Sequence, residues 1–219
     1  AVVSIDGVGE KTTTAIGTGE GTNLTLLKQI EFPHSIGLFY TALTVFLGFT
    51  PFEGEYKVMG LAAYGNNDQT SNPYYKKLLE TVEMHSDGSF TFNMNFYGHD
   101  SFEMKAYKPA LSELLNLSPR QKDDPMTKDY EDLASALQMV TEDLVIGVLN
   151  YAYNLTKKEN LCLAGGVALN SVINAKILSK TKFKNIFIQP SAGDSGTALG
   201  AAKYVQNVAD DTAPQEHAT

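Results

Sequence analysis

Three apolar runs in this chain each end in a glycine turn, and few folds accommodate all three. Val2-Val3-Ser4-Ile5 runs into Asp6-Gly7-Val8-Gly9, and Leu161-Cys162-Leu163-Ala164 runs into Gly165-Gly166. Ile186-Phe187-Ile188 is followed by Ser191-Ala192-Gly193-Asp194-Ser195-Gly196. The first turn returns as a Thr-rich strand, so it is a hairpin, whereas the second and third open helices. Glycines at such turns let backbone amides close on an anion, and in an α/β sheet ligands collect at the carboxyl ends of strands. Any one turn is a common packing device. Three of them converging on one cleft make a nucleotide site. None is a Walker loop, because no Gly-Lys-Ser/Thr follows. None is a dinucleotide fingerprint, because Gly7 and Gly9 lead into a strand rather than a helix.

The rest of the chain supplies the scaffold. β-branched runs at 2–5, 12–18 and 23–30 separated by turn residues read as an antiparallel meander. The nearly all-apolar run at 35–48 predicts a buried helix capped by His34 or Ser35 and ended by Gly48. Residues 52–65, with Gly54, Gly60 and Gly65, read as a functional loop, followed by a polar linker at 66–72. A helix at 74–81, a hairpin turning at Asp87-Gly88 and a helix at 109–115 form a variable insertion spanning about 66–125. Tyr130, Leu133, Leu137, Val140, Leu144, Val148, Leu149 and Tyr151 recur at helical spacing and predict a long core helix over 127–155. Strand 160–164, helix 167–178, strand 185–188 and a final Ala/Gly-rich helix follow the grammar of a parallel sheet. Residues 210–219 read as a disordered tail, leaving 1–209 as one lobe.

Composition narrows the function. A 219-residue chain with 43% apolar side chains can bury a sizeable core, and no run approaches the length of a membrane span. Seventeen basic residues are scattered against 25 acidic ones, for a net charge of -8. That balance argues against a grip on nucleic acid and for small-molecule chemistry. Cys162 is the single cysteine, so there is no disulfide framework, and a reducing cytoplasm is the expected location.

Asp6 and Asp194 sit where carboxylates flank a phosphate cleft, and hard cations select carboxylate oxygen. Each also has a plain alternative as a turn-capping Asp. Glu10, Lys11 and Thr12 can reach the same cleft, with Lys11 equally readable as a solvated strand residue. His34, His85, His99 and His217 form no ligand pair by spacing, and no nucleophile elbow surrounds Ser4, Ser35 or Ser191.

A hairpin phosphate loop followed by strand-Gly-Gly-helix resembles the plan of the actin-like, hexokinase-like ATPases. More specifically, Asp6-Gly7-Val8-Gly9-Glu10, the run from Gly54-Glu55-Tyr56-Lys57 to Tyr64-Gly65, Ala164-Gly165-Gly166-Val167-Ala168-Leu169-Asn170, and Gly193-Asp194-Ser195-Gly196-Thr197-Ala198-Leu199-Gly200 closely resemble the O-carbamoyltransferases of the NodU/CmcH type. Four motifs in order, from Val2 to about Val205, carry the resemblance. It implies an actin-like, ribonuclease H-like α/β lobe in which an antiparallel meander extends a parallel sheet flanked by helices. It also implies ATP and carbamoyl phosphate as substrates, carbamoyl-adenylate as the intermediate and a small-molecule hydroxyl as the acceptor.

By the same resemblance, Asp6 and Asp194 hold a divalent metal, with iron favoured, and Gly7, Gly9 and Glu10 form the phosphate hairpin. Gly165, Gly166, Asn170 and Asn174 form the adenosine loop and its helix, Gly193 and Gly196 the last nucleotide turn, and Lys57 lies in a motif without an assigned role. Ala63, Ser171 and Ala175 depart from the family's usual proline, cysteine and glycine. The resemblance further implies partners outside these residues: a first lobe with a His-x-x-x-His motif and a YrdC-like domain. The chain reads as the second lobe of such an enzyme, inactive alone. A sugar-kinase-like or tRNA-modifying enzyme, or a non-catalytic nucleotide-binding module, are the alternatives.

Overall fold

The structure, a computed structural model, describes residues 1–99 and 106–209. The expected tail at 210–219 and residues 100–105 of the insertion lie outside the described residues. β1 (Val2–Ile5), β2 (Thr12–Glu20) and β3 (Asn23–Glu31) form the antiparallel meander. α1 (Ile36–Phe46) follows, then α2 (Glu55–Leu61), α3 (Tyr75–Leu79), a small hairpin of β4 (Val82–Met84) and β5 (Phe90–Phe92), and α4 (Pro109–Leu115). The long α5 (Lys128–Thr156) leads to β6 (Asn160–Ala164), the short helices α6 (Ser171–Asn174) and α7 (Ile177–Lys180), β7 (Asn185–Ile188) and α8 (Gly196–Tyr204).

The main sheet has the order β3-β2-β1-β6-β7, with β1 antiparallel to β2 and parallel to β6, and β6 parallel to β7. A meander continued by two parallel strands that are each reached through helices is the actin-like, ribonuclease H-like arrangement. Alternation decides which face is buried, because successive strand side chains point to opposite sides. Val3, Ile5, Ile16, Leu161 and Leu163 pack with Phe39, Leu43 and Phe46 of α1 and with Leu133, Leu137, Val140, Leu144 and Val148 of α5. Each fully buried Leu or Phe contributes about 2 kcal/mol relative to exposure, so this layer holds the lobe together.

The structure corrects two expectations. Residues 52–65 are not a loop: Glu55 Oε1 accepts from Phe52 N–H (3.1 Å) and from the Thr41 hydroxyl (2.8 Å), fixing the start of α2. The single helix expected at 167–178 is broken into a 3-10 turn (Gly166–Leu169), α6 and α7, because Asn170 leaves helical geometry to cap α6. Of the two cap candidates for α1, Ser35 is the one that caps it. Within 66–125 the described Leu78, Phe90, Phe92, Tyr97, Leu111 and Leu115 are buried, and Phe92 stacks on Phe39 at 5.0 Å.

Candidate functional site

β1, β6 and β7 are mutually parallel, so their carboxyl ends and the turns that follow lie along one edge of the sheet. In the β1 turn, Asp6 N–H donates to Thr13 O and Gly9 N–H to Thr12 O, both at 2.9 Å. Asp6 Oδ1 accepts from Gly7 N–H at 2.7 Å. α1 supports this turn from beneath. The Ser35 hydroxyl donates toward Gly7 O (2.6 Å) and Asp6 O (3.1 Å) while its oxygen accepts from Leu38 N–H (3.0 Å). Ser35 is fully buried, and α1 has no acidic residue in its first turn, so the positive end of its dipole reaches the Asp6 turn unneutralised by its own side chains. Glu10 lies exposed in the loop between the two strands. Lys11 pairs with Glu31 at 3.1 Å, which fits its reading as a solvated strand residue.

The β6 turn is wedged directly behind β1. Gly165 has φ +94° and donates its N–H to Ala192 O at 2.9 Å, tying the second turn to the third. Gly166 lies so near Asp6 that a Cβ there would be 3.0 Å from Asp6 Oδ1. The two asparagines have different tasks. Asn170 is consumed locally: Oδ1 accepts from Ile173 N–H (3.1 Å), and its amide pairs with Gln138 of α5. Asn174 donates Nδ2–H to Ala168 O (2.7 Å), while its Oδ1 is buried and without a hydrogen-bond partner.

In the third turn Asp194 is exposed, and its carbonyl accepts from Thr197 N–H (3.0 Å) and the Thr197 hydroxyl (2.6 Å). A Cβ on Gly193 would lie 3.7 Å from Gly166 Cα, so the second and third turns touch. Between these turns, the sheet and α8 lies an open cavity of about 630 Å³. Asp6, Gly165, Gly193, Asp194 and Gly196 all line it. Gly7 and Gly166 adjoin Asp6, while Gly9, Glu10, Asn170 and Asn174 do not line the cavity. Among the described residues no three His, Cys, Asp or Glu side chains are grouped closely enough to share a metal, so Asp6 and Asp194 contribute carboxylate oxygens but not a full ligand set. Lys57 of α2 does not line the cavity; it is exposed, with Nζ 5.7 Å from the Tyr56 ring centre.

Sequence reasoning missed Lys203, Gln189 and Gln138. Gly196, Gly200 and Lys203 share a helical face at i, i+4 and i+7, a spacing that could have flagged Lys203 as the cationic lining residue. Gln138 was detectable as a polar residue inside the apolar stripe of α5.

Glycine turns at one sheet edge, two carboxylates on one cavity and this strand order are those of a lobe of the actin-like class. The chain belongs to the carbamoyltransferase family: residues 1–203 match the family model for the carbamoyltransferase N-terminus. It is 42% identical over 214 residues to the protein sll1178 of Synechocystis, covering 94% of this chain and 34% of that protein. To nodulation protein NolO of Bradyrhizobium diazoefficiens it is 36% identical over 215 residues, covering 98% of this chain and 36% of NolO. A more distant likeness, 22% over 199 residues, links 83% of the chain to 57% of the tRNA N6-adenosine threonylcarbamoyltransferase of Lactococcus lactis. The chain thus spans about a third of the length of its first two relatives. No described helix is long and apolar enough to cross a membrane.

Proposed function

We propose that this chain forms the nucleotide- and metal-facing lobe of an ATP-dependent carbamoyltransferase. Such an enzyme hydrolyses carbamoyl phosphate with one water to carbamate and phosphate, and joins the carbamate to the α-phosphorus of ATP as carbamoyl-adenylate with loss of pyrophosphate. It then passes the carbamoyl group to a hydroxyl of a small-molecule acceptor with AMP as the leaving group. The observation that carries the reading is the placement of Asp6 and Asp194 on one cavity, at the edge where three glycine turns meet.

The residues present fit a nucleotide. The Gly165-Gly166 turn leaves room beside Asp6 that a side chain would fill. The α1 dipole behind the Gly7–Gly9 turn favours an anion there, with the Val8 N–H as its donor, because the Gly7 and Gly9 amides are engaged by Asp6 Oδ1 and Thr12 O. Asp6 and Asp194 fit half of a coordination shell for a divalent metal, iron favoured, with the remaining ligands supplied from outside these residues. When bound, such a metal polarises a carbonyl and orients a hydroxyl. Lys203 adds the one cationic side chain of the lining, suited to an anionic group at the far end of the cavity. A first lobe and a YrdC-like domain are the partners this reading needs, and a cytoplasmic location suits the single exposed cysteine.

The test is turnover by the full-length protein that carries this lobe, with ATP, carbamoyl phosphate and a panel of hydroxyl acceptors. Release of pyrophosphate and phosphate, reduced about a hundredfold or more by Asp6→Asn and by Asp194→Asn, is the expected result. No release from protein that binds ATP would favour the second reading, a non-catalytic nucleotide module.

A further inference from the structure

The break between the 3-10 turn and α6 has a cause that lies 32 residues away, on α5. Gln138 is buried, and every hydrogen-bonding valence of its amide is used. Oε1 accepts from Asn170 Nδ2 (2.9 Å) and from the Tyr40 hydroxyl (3.3 Å), and Nε2 donates to Asn170 Oδ1 (3.2 Å) and Glu142 Oε1 (3.1 Å). The two side-chain amides therefore form a reciprocal pair. Lys176, beyond α6, closes the arrangement from the other side with Nζ 2.6 Å from Glu142 Oε2.

This pair has more bonds than capping requires. Asn170 caps α6 with a single acceptor contact to Ile173 N–H, which a serine could supply as well. What only the amide pair supplies is a fixed distance between α5 and the segment running from Gly165 to Asn174. That segment holds the turn against Asp6 and carries the unpartnered Asn174 Oδ1. Tyr40 of α1 joins the same amide. Its burial, with Glu55 and Glu142 nearby, pushes the phenol far above its ordinary range, so it stays a donor. One buried side chain thus registers α1, α5 and the β6 turn together.

We propose that Gln138 is the positioning residue of the nucleotide turn, holding residues 165–174 in the one arrangement that sets Gly165 on the cavity and Gly166 against Asp6. The inference rests on the nucleotide reading above, and the test separates the two. Hydrogen exchange is measured residue by residue, with ATP binding by calorimetry and the KM for ATP in turnover, for the unaltered protein, Gln138→Met and Asn170→Ser. Gln138→Met removes the pair while keeping side-chain length. Asn170→Ser also severs it but retains a good cap, so it remains informative if the first variant folds poorly.

The expected result in both variants is exchange at 166–174 that is faster by about tenfold, with the rest of the chain unchanged. ATP binding weakens, and the KM for ATP rises, by a similar factor with kcat within about twofold, the ratio expected for one or two lost hydrogen bonds. Unchanged exchange at 166–174, or exchange raised uniformly over the chain, overturns the positioning role whether or not ATP binds. Faster local exchange in a protein that never binds ATP upholds the lock and overturns the nucleotide reading instead.

Discussion

The two faces of the main sheet are built differently, and the site straddles them. On one face Val3, Ile5, Ile16 and Leu161 are at most 2% exposed beneath α1 and α5. On the other, Cys162 is exposed, Phe187 is 54% exposed, and α8 has no buried residue at all. Asp6 and Gly165 are set by the packed face, through Ser35, Gly37 and the back of β1. Asp194 is set by bonds within its own turn, from Thr197, beside a pair of serine hydroxyls. The comparison teaches that one carboxylate of the cavity is held by the whole core and the other by the bonds of its own turn, which a single backbone bond from Gly165 N–H to Ala192 O ties to the packed side. Local openings, which sample the least packed regions first, should therefore move Asp194 more readily than Asp6.

The sharpest way to break the packed side is Gly165→Ala. Its φ of +94° disfavours any side chain, and the new Cβ would lie 2.1 Å from Ile5 O, which is backbone and cannot swing aside. A loss of about 3 kcal/mol or more is expected, read from urea unfolding, or failure to fold at all. A variant within about 1 kcal/mol of the parent would mean that the β6 turn is not wedged as described.

Gly37→Ala probes the same wall one layer down. Its Cβ would meet Gly7 N, Asp6 O and Gly7 Cα at 2.7–2.8 Å, so α1 or the Asp6 turn must shift. Gly is also the poorer helix former, by about 1 kcal/mol, which offsets part of the cost. The expected net loss is about 1–2 kcal/mol, with amide chemical shifts moving at Asp6 and Gly7 but not at Asp194. Shifts at Asp194 of equal size would contradict the independence of the two walls.

On the open side the sign reverses. Gly200 of α8 borders the cavity, yet a Cβ added there would meet nothing within 4 Å. Gly200→Ala should gain about 0.5–1 kcal/mol in α8 from helix propensity, visible as slower amide exchange in residues 196–204. A destabilised variant would show that α8 lies against the sheet after all.

Which parts of this were legible in the sequence follows the same division. β1, β6, β7, α1, α4 and α5 were readable because local periodicity and turn residues agree with their burial. The convergence of Asp6, Gly165 and Asp194 followed from strand-turn grammar alone. α2 was hidden by Gly54, Gly60 and Gly65, which read as breakers. Gly60 instead faces open space, where a mid-helix glycine costs only about 1 kcal/mol. The broken helix after Gly166 was hidden because its cause, the Asn170–Gln138 pair, is a tertiary contact with no local signature. Gln189 went unread because a cavity between a helix and a sheet face leaves no motif, whereas Lys203 carried a signal in its i, i+4, i+7 spacing with Gly196 and Gly200.

The smallest expected effect tests the packed side through pH. His34 precedes the Ser35 cap; its Nδ1 accepts from Phe92 N–H at 3.0 Å, and its carbonyl accepts from the Thr13 hydroxyl at 2.5 Å. Burial first, and the charge of nearby His85 second, lower its pKa. A protonated imidazole cannot accept the Phe92 bond, so the folded state resists protonation more than the unfolded chain, where histidine titrates near 6.5. The unfolded state then binds more protons below about pH 6.5. Stability from this group is therefore complete above that value and declines as pH falls toward the lowered folded pKa. His34 is partly solvated, so the loss should stay below about 1 kcal/mol. The measurement is the urea midpoint of the parent and of His34→Gln, whose amide oxygen can still accept, at pH 8 and pH 5. The parent should lose more stability across that range than the variant, and parallel losses would remove His34 from the account of how the Asp6 wall is held.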